Sequence, residues 1–578
     1  MIVQMFGNVK PSMSVDQRSA KPSSNAPGAA GRNTFTTVSR AAALLLVCTL
    51  LIVHGPLIVN DGLYGEDWLL FEIKPGFPVQ MDFLLHGAGH PLLWLYCTLA
   101  NLSGHPIGAM KVLALAGITA GAVNMLSFAL RLRIFSAFEA TAFTFLVWSY
   151  AEFHNWATKL TATYLFSLAL LCLGLNLLAI ILSSDKPRLG LRIASLLAIF
   201  CSFSLNSMIA AYYAGFGVAL LLISPTGADA GAWKARLQPS RLGGVADFIV
   251  VPVVYWLSTN HFFPKIGPYA GYYHLRLPPL WDLAAGLASF WRFGFARIPG
   301  EVRMLAKEAI WPIILALVIA SVLVAILARI DRDARTPSAS ATIWPFLAAT
   351  LAFVGFASPY LVSGISPTEH FYEGRHLILF GIPFGLGAIG IYRLARATFR
   401  NARAGHLATL LIITLNLCAL WSGYFLQQAR WLRQEAMIDE LQAAYREPPA
   451  AVFDLADGFF GATDHTYYGM TELTGGLHAA WDARPLFGFT GQREGPTILQ
   501  EIDAALKTEG SAFRNMDPRG PQATIALIPK PPVLSSTRLA MSYYRCLVSS
   551  CDRQAMLRAS TDTTVQLGPI PHLSTKWQ

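Results

Sequence analysis

The sequence predicts an all-α polytopic membrane domain of about eleven transmembrane helices, with interfacial helices in its outer loops and a small C-terminal extracytoplasmic α/β domain. Three observations carry this expectation. Of 578 residues, 54% are hydrophobic and only 13% charged, and the mean hydropathy is +0.45, too apolar for a soluble chain of this length. The apolar residues gather into runs of about 18 to 22, the length that crosses a bilayer core. Arg and Lys recur in short clusters between those runs, as orientation by positive charge requires.

Residues 1–38 are rich in Ser, Pro, Gly and Ala, include Lys10, Arg18, Lys21 and Arg32, and hold too few large apolar residues for a core. They read as a disordered cytoplasmic arm. Residues 39–426 form the membrane domain, with spans expected at Ser39–Val59, Ile107–Leu130, Ile134–Tyr150, Leu160–Leu182, Leu189–Leu205, Met208–Ile223, Val245–Asn260, Ile310–Ala328, Ile343–Val362, His376–Leu394 and His406–Leu426. The first lacks a small-residue cleavage site and reads as a retained anchor. With the N-terminus inside, the inside connections hold Arg131 and Arg133; Lys186 and Arg188; Lys234, Arg236 and Arg241; Arg329, Arg332 and Arg335; and Arg393, Arg396, Arg400 and Arg403. One tilted helix in place of the pair joined at Asn206-Ser207 would strand the later clusters on the opposite side, so two spans are expected there.

An odd number of spans puts the tail outside. The outer region Asn60 to about His105 contains Pro91–Leu102, too short to span and better laid along the interface. The region His261–Glu308 mixes Tyr269, Tyr272, Tyr273, Trp281, Trp291 and Phe295 with Arg276, Arg292, Arg297, Arg303 and Lys307, the signature of amphipathic helices at headgroup level. Residues 427–578, with turn signals and apolar pieces such as Ala450–Leu455 and Thr524–Ile528, are expected to form a periplasmic mixed α/β domain.

Several function classes are disfavoured. The net charge of +10 is dispersed and not gathered into a patch, which argues against nucleic acid. There is no phosphate-binding P-loop, no dinucleotide fingerprint and no zinc-hydrolase helix motif, which argues against ATP-driven transport and soluble-type cofactor chemistry. Of seven cysteines, Cys48, Cys97, Cys172, Cys201 and Cys418 fall in apolar segments as small core residues; Cys546 and Cys551 are either a short-loop disulfide of an oxidising compartment or two free thiols.

The chemistry is best sought in Asn60-Asp61-Gly62-Leu63-Tyr64-Gly65-Glu66-Asp67-Trp68, just past the first span. Charged groups near hydrocarbon are expensive and mark functional cavities. Two glycines loosen the backbone while Tyr64 and Trp68 anchor it at the interface, so that Glu66 or Asp67 can accept a proton from an attacking alcohol or ligate a hard cation. A solvated loop acid is the plain alternative. The second outer connection brings Glu152 and His154, with Trp156, to the same depth, where they orient Asp67 or share a divalent ion with it; a hydrogen-bonded structural His is the alternative. Arg292, Arg297 and the pair Arg375-His376 place cations on the outer side, as binding of a lipid-borne phosphate requires, although long loops cross regardless of charge.

With its basic N-terminus, an acidic pair after the first span, a Trp-bearing second outer connection, interfacial helices, a late outer Arg and an extracytoplasmic C-terminal domain, the chain resembles the GT-C superfamily of integral-membrane glycosyltransferases. The resemblance covers most of the membrane region on a short, degenerate motif. It implies a polyprenyl-phosphate-linked sugar donor, a glycan, lipid or protein acceptor, and transfer at the outer face of a bacterial inner membrane. It also implies that the loop acid is Asp67, with Glu66 as neighbour, that Glu152 answers loosely to a second-loop acid, and that Arg375 meets the donor phosphate, helped by His376 or by Arg292 and Arg297. A divalent cation, Mg or Mn, held by Asp67, Glu152 and His154 is one way to stabilise the phosphate; the arginines alone are the other. The rival readings are an O-antigen-type polymerase or ligase, a lipid or glycan transporter, and a scaffold that binds a partner. Distinctive charges at the outer lip and not mid-span count against transport.

Overall fold

A computed structural model describes residues 28–73, 81, 84–85, 89–157, 159–184, 188–204, 207–223, 243–265, 278–330, 339–365, 367, 371–460, 468–481, 486–490, 520–549 and 551–570. The membrane part comprises α1 (Gly28–Val53), α2 (Asp67–Leu70), α3 (Pro91–Leu102), α4 (Pro106–Leu132), α5 (Ala137–Trp148), α6 (Phe153–Ala157), α7 (Lys159–Leu182), α8 (Leu189–Ser202), α9 (Ser207–Leu222), α10 (Ala246–Phe262), α11 (Leu280–Trp291), α12 (Ile298–Glu308), α13 (Trp311–Ile330), α14 (Ala339–Leu361), α15 (Gly381–Phe399) and α16 (Ala402–Ala444). This is the expected helical membrane fold with interfacial helices and a small C-terminal sheet. Among the described residues six helices are long and apolar enough to cross a membrane: Pro106–Leu132, Thr163–Leu182, Trp311–Ile330, Ala341–Leu361, His376–Phe399 and Ala402–Ala444.

Several boundaries differ from the hydropathy reading, each for a local reason. Helix α1 begins at Gly28, inside the segment expected to be disordered; no proline interrupts Gly28–Val38. The expected first span breaks at His54, since Pro56 opens the separate turn Gly55–Val59. Helices α8 and α9 are separate, as the charge pattern requires.

Arg393, read from sequence as an orienting charge in a connection, is instead buried inside α15. Its Nε and Nη2 donate to the two carboxylate oxygens of Glu139 at 2.6 and 2.7 Å, and it also donates to the Ala341 and Ile134 carbonyls. Glu139 is available because it is the N3 residue of a capping box with Ser136, each side chain bonded to the other's backbone N–H. The pair ties α5 to α15.

The last helix makes the largest departure. The sequence suggested that the membrane domain ends near Leu426, yet α16 runs unbroken for 43 residues to Ala444. At 1.5 Å per residue that is about 65 Å, roughly twice the hydrocarbon thickness. Hydropathy falls at Gln427, but Gln427-Gln428-Ala429-Arg430-Trp431-Leu432-Arg433-Gln434-Glu435-Ala436 contains neither Gly nor Pro and is mostly good helix formers, so the helix continues.

Beyond it lies a four-stranded sheet of order β2-β1-β3-β4, with β1 (Val452–Asp457), β2 (Phe487–Phe489), β3 (Gln522–Pro529) and β4 (Thr561–Leu567). β1 pairs in parallel with β2 and β3, while β4 runs antiparallel to β3. Helices α17 (Met470–Ala480), α18 (Ser536–Val548) and α19 (Arg553–Ser560) accompany it. Alternate residues Phe453, Leu455, Ile525 and Leu527 pack with Leu473 and Leu477 of α17 against Met437 and Leu441 of α16, so the sheet sits on the far end of the long helix. Cys546 and Cys551 are joined as a disulfide, with Cα atoms 5.0 Å apart.

Glu139→Ala leaves the Arg393 guanidinium buried without its carboxylate. It is expected to destabilise the folded protein by about 3–5 kcal/mol, and Glu139→Leu combined with Arg393→Leu by less, in thermal unfolding followed by fluorescence-detected gel filtration. Equal losses in both proteins would contradict this.

Candidate functional site

The acidic triplet folds into a tight turn. Gly65 adopts φ +54°, a left-handed conformation that only glycine takes without strain, and the Asp67 N–H closes the turn on the Tyr64 carbonyl at 3.1 Å. Asp67 Oδ2 accepts the Tyr64 N–H at 3.2 Å, and the carboxylate opens the single turn α2, an end of a helix that favours negative charge. Asp67 is buried, at 1% exposure, while Glu66 is half-buried. Tyr64 and Trp68, expected as interface anchors, are buried instead. The Tyr64 hydroxyl lies 2.8 Å from the Gln427 carbonyl and 3.0 Å from Asn60 Oδ1, and the Trp68 ring meets Trp431 with centroids 6.2 Å apart. Burial holds the Tyr64 phenol protonated, far above its usual range. Cys97 of α3 shares this pocket; burial, and then the Asp67 charge, push its thiol up.

On the C-terminal-domain side of the turn stands a buried charged group that the sequence did not single out. Arg430 of α16 pairs with Glu472 of α17 and lies 5.3 Å over the Tyr468 ring, whose hydroxyl donates to the Arg430 carbonyl at 3.1 Å. The backbone N–H groups of Gly65 and Gly469 also favour the charged form of Glu472. Burial pushes its carboxyl up, and Arg430 draws it part of the way back. One turn further, Arg433 stacks 4.2 Å from the Phe459 ring and donates to Ser536 Oγ at 3.3 Å. The signal available in sequence was Arg430 and Arg433, three residues apart immediately after an apolar run.

A second cluster gathers Glu152, His154 and Arg297. Arg297 pairs directly with Glu152, whose other oxygen accepts from Asn155 Nδ2 at 3.1 Å. Glu301, in the first turn of α12, adds its charge beside Arg297 and accepts from Ser422 of α16 at 2.8 Å. Burial pushes the Glu152 carboxyl up despite Arg297, while on Arg297 the two carboxylates outweigh burial and hold it charged. His154 Nδ1 lies 2.8 Å from the Ala151 carbonyl, so the Nδ1–H donates, and burial with the nearby Arg297 lowers the ring to about 3.

The two clusters are stacked along α16, Ser422 serving one and Arg430 the other, about 12 Å apart by helical rise. The structure thus groups Glu152, His154 and Arg297 and sets Asp67 and Glu66 in the neighbouring cluster. Arg292 is exposed, 5.2 Å over Phe293. His376 is buried with its ring 4.6 Å from that of Tyr360. The Arg375 side chain lies outside the described residues, as do Glu369 and His370, Tyr269, Tyr272, Tyr273 and Arg276. Asp67, Glu152 and His154 do not fit the cation suggested for them: Glu152 is matched by Arg297, and among the described residues no group of three or more His, Cys, Asp or Glu is arranged to hold a metal.

Two solved structures are similar to the chain. One is the crystal structure of ArnT from Cupriavidus metallidurans in the apo state, at 13% identity over 90% of this chain and 95% of that one, with a TM-score of 0.31. The other is ArnT from Cupriavidus metallidurans bound to undecaprenyl phosphate, at 12% identity over 94% and 99%, with a TM-score of 0.32. No protein-family model and no curated protein matches.

Because His154 is held neutral in the fold, its contribution to stability is complete above its unfolded value of about 6.5 and is lost as the pH falls toward 3. His154→Gln cannot titrate and is expected to lose less thermal stability than the parent between about pH 6.5 and about pH 4. Parallel melting-temperature curves for the two proteins would contradict this.

Proposed function

We propose that the chain is a GT-C-type membrane glycosyltransferase, moving a sugar from a polyprenyl-phosphate donor to an acceptor hydroxyl on the periplasmic side of a bacterial inner membrane. The observation that carries this reading is the placement of Asp67. A carboxyl side chain 1% exposed, at the opening of a short helix just past the first span, is expensive to place there and marks a functional site. As general base it would take the acceptor's proton as the hydroxyl oxygen attacks the anomeric carbon and the bond to the phosphate oxygen breaks, with inversion.

The Tyr64 N–H, bound to Oδ2, helps to orient the carboxyl group. The departing phosphate gains negative charge, and cations on the same face lower the barrier by meeting it. Arg375, His376 and Arg292 are the residues proposed for that role. Arg297, already matched by Glu152 and Glu301, serves beside them by fixing the second loop against α12. No step is assigned to a metal ion, since the donor set does not suit one.

Asp67→Asn keeps the side chain's shape and its bond to Tyr64 but removes the base. In proteoliposomes supplied with a polyprenyl-phosphate sugar, its kcat is expected to fall about 10²- to 10⁴-fold with the protein still monodisperse. Wild-type turnover would overturn the assignment.

A further inference from the structure

The C-terminal domain does more than cap the membrane part: it reaches the turn that carries Asp67. Helix α2 is four residues long, and a single turn cannot hold itself in place, because helix nucleation fixes several dihedrals for one hydrogen bond. Its support comes from α17. The N–H of Gly65, the left-handed residue of the turn, favours the charge of the Glu472 carboxyl that pairs with Arg430. Glu472 is also the third residue of α17, and the N–H of Gly469, which opens that helix, favours the same charge. Two residues after Gly65 comes Asp67, and next to it Trp68, whose Cβ lies only 2.3 Å from where a side chain on Gly475 would begin.

Helix α17 is in turn set by the sheet. Thr474 Oγ1 accepts the Gly488 N–H of β2 at 3.0 Å, and Gln434 of α16 donates to the Glu472 carbonyl at 3.4 Å. The position of the Asp67 turn is therefore read from the fold of the distal domain at two points, electrostatically at Gly65 and sterically at Trp68.

We propose that Glu472 and Gly475 are positioning residues for Asp67, so that the C-terminal domain is part of the active site and not only an acceptor platform. The inference rests on the reading of Asp67 as the base. Glu472 and Gly475 touch no reacting atom; they act by holding Gly65 and Trp68 on either side of the carboxylate. A displacement of about 1 Å at a reacting group costs on the order of 10²-fold in rate, so loosening this support should appear in kcat.

The test uses full-length protein and three variants. Gly475→Ala pushes on Trp68 without touching the ion pair, Glu472→Gln keeps the side chain's shape and a carbonyl dipole beside Gly65, and Glu472→Ala removes both. Hydrogen exchange of the amides in 63–71 is the readout independent of activity. In Gly475→Ala these amides are expected to exchange about tenfold faster, with kcat down about 10- to 100-fold and donor KM within about twofold. Glu472→Gln is expected to recover most of the turnover that Glu472→Ala loses. Unchanged exchange in Gly475→Ala overturns the proposal even if Asp67→Asn is inactive, as does faster exchange with wild-type kcat. If Asp67→Asn turns over normally, the base reading fails by itself, and the exchange data still decide whether the domain anchors the turn.

Discussion

The face that bears the candidate chemistry is organised by one helix that continues beyond the bilayer. From Trp421 to Arg433, successive side chains and carbonyls of α16 each hold a different part of the chain. Trp421 Nε1 donates to the Val53 carbonyl at 2.8 Å, Tyr424 bonds His54 at 2.7 Å, Gln427 receives Tyr64, Ser422 binds Glu301, Arg430 binds Glu472 and Arg433 binds Ser536. Gln427, Gln428, Arg430, Arg433 and Gln434 are all nearly inaccessible. A polar helix enclosed on every side needs partners for its buried groups, and those it has include the loops on which function is proposed.

That arrangement has an energetic consequence. Burying Arg430 with Glu472, and Glu152 with Arg297, removes ions from water, a penalty that the attraction within each pair offsets only partly. Such pairs are weak evidence for stability and better evidence for specified geometry. Both occur where short, loosely built segments need a fixed position: α2 is four residues long and α6 five. The third buried pair, Arg393 with Glu139, lies elsewhere and joins two helices by a bidentate fork with further carbonyl acceptors, which is the arrangement that best compensates desolvation.

Much of this fold was legible in the sequence because apolar runs and turn signals are local. Pro91–Leu102 appeared with the bounds expected, and the apolar pieces Ala450–Leu455 and Thr524–Ile528 overlap β1 and β3. What stayed hidden depends on partners distant in the chain. Hydropathy ends α16 at Leu426, whereas helix propensity, with no Gly or Pro from Tyr424 to Glu447, continues it; the second signal prevailed because the C-terminal domain and the first loop bury the polar extension. Nothing near Glu472 announces Arg430, 42 positions earlier. Glu139 was concealed by its capping role, and Tyr64 and Trp68 read as interface anchors since amphipathic rings suit both a headgroup layer and a closed pocket.

The proposed transferase resembling the GT-C superfamily therefore depends on a continuous rod that carries the Asp67 turn, the Glu152–Arg297 group and the sheet domain together. Its continuity can be measured as one distance. Spin labels at the exposed positions Leu407→Cys and Ala443→Cys, in protein with Cys48 and Cys201 replaced, should give a single narrow distribution near about 54 Å by double electron–electron resonance. A much shorter or broad distribution, as from a helix that ends or bends near Gln427, would contradict the shared scaffold.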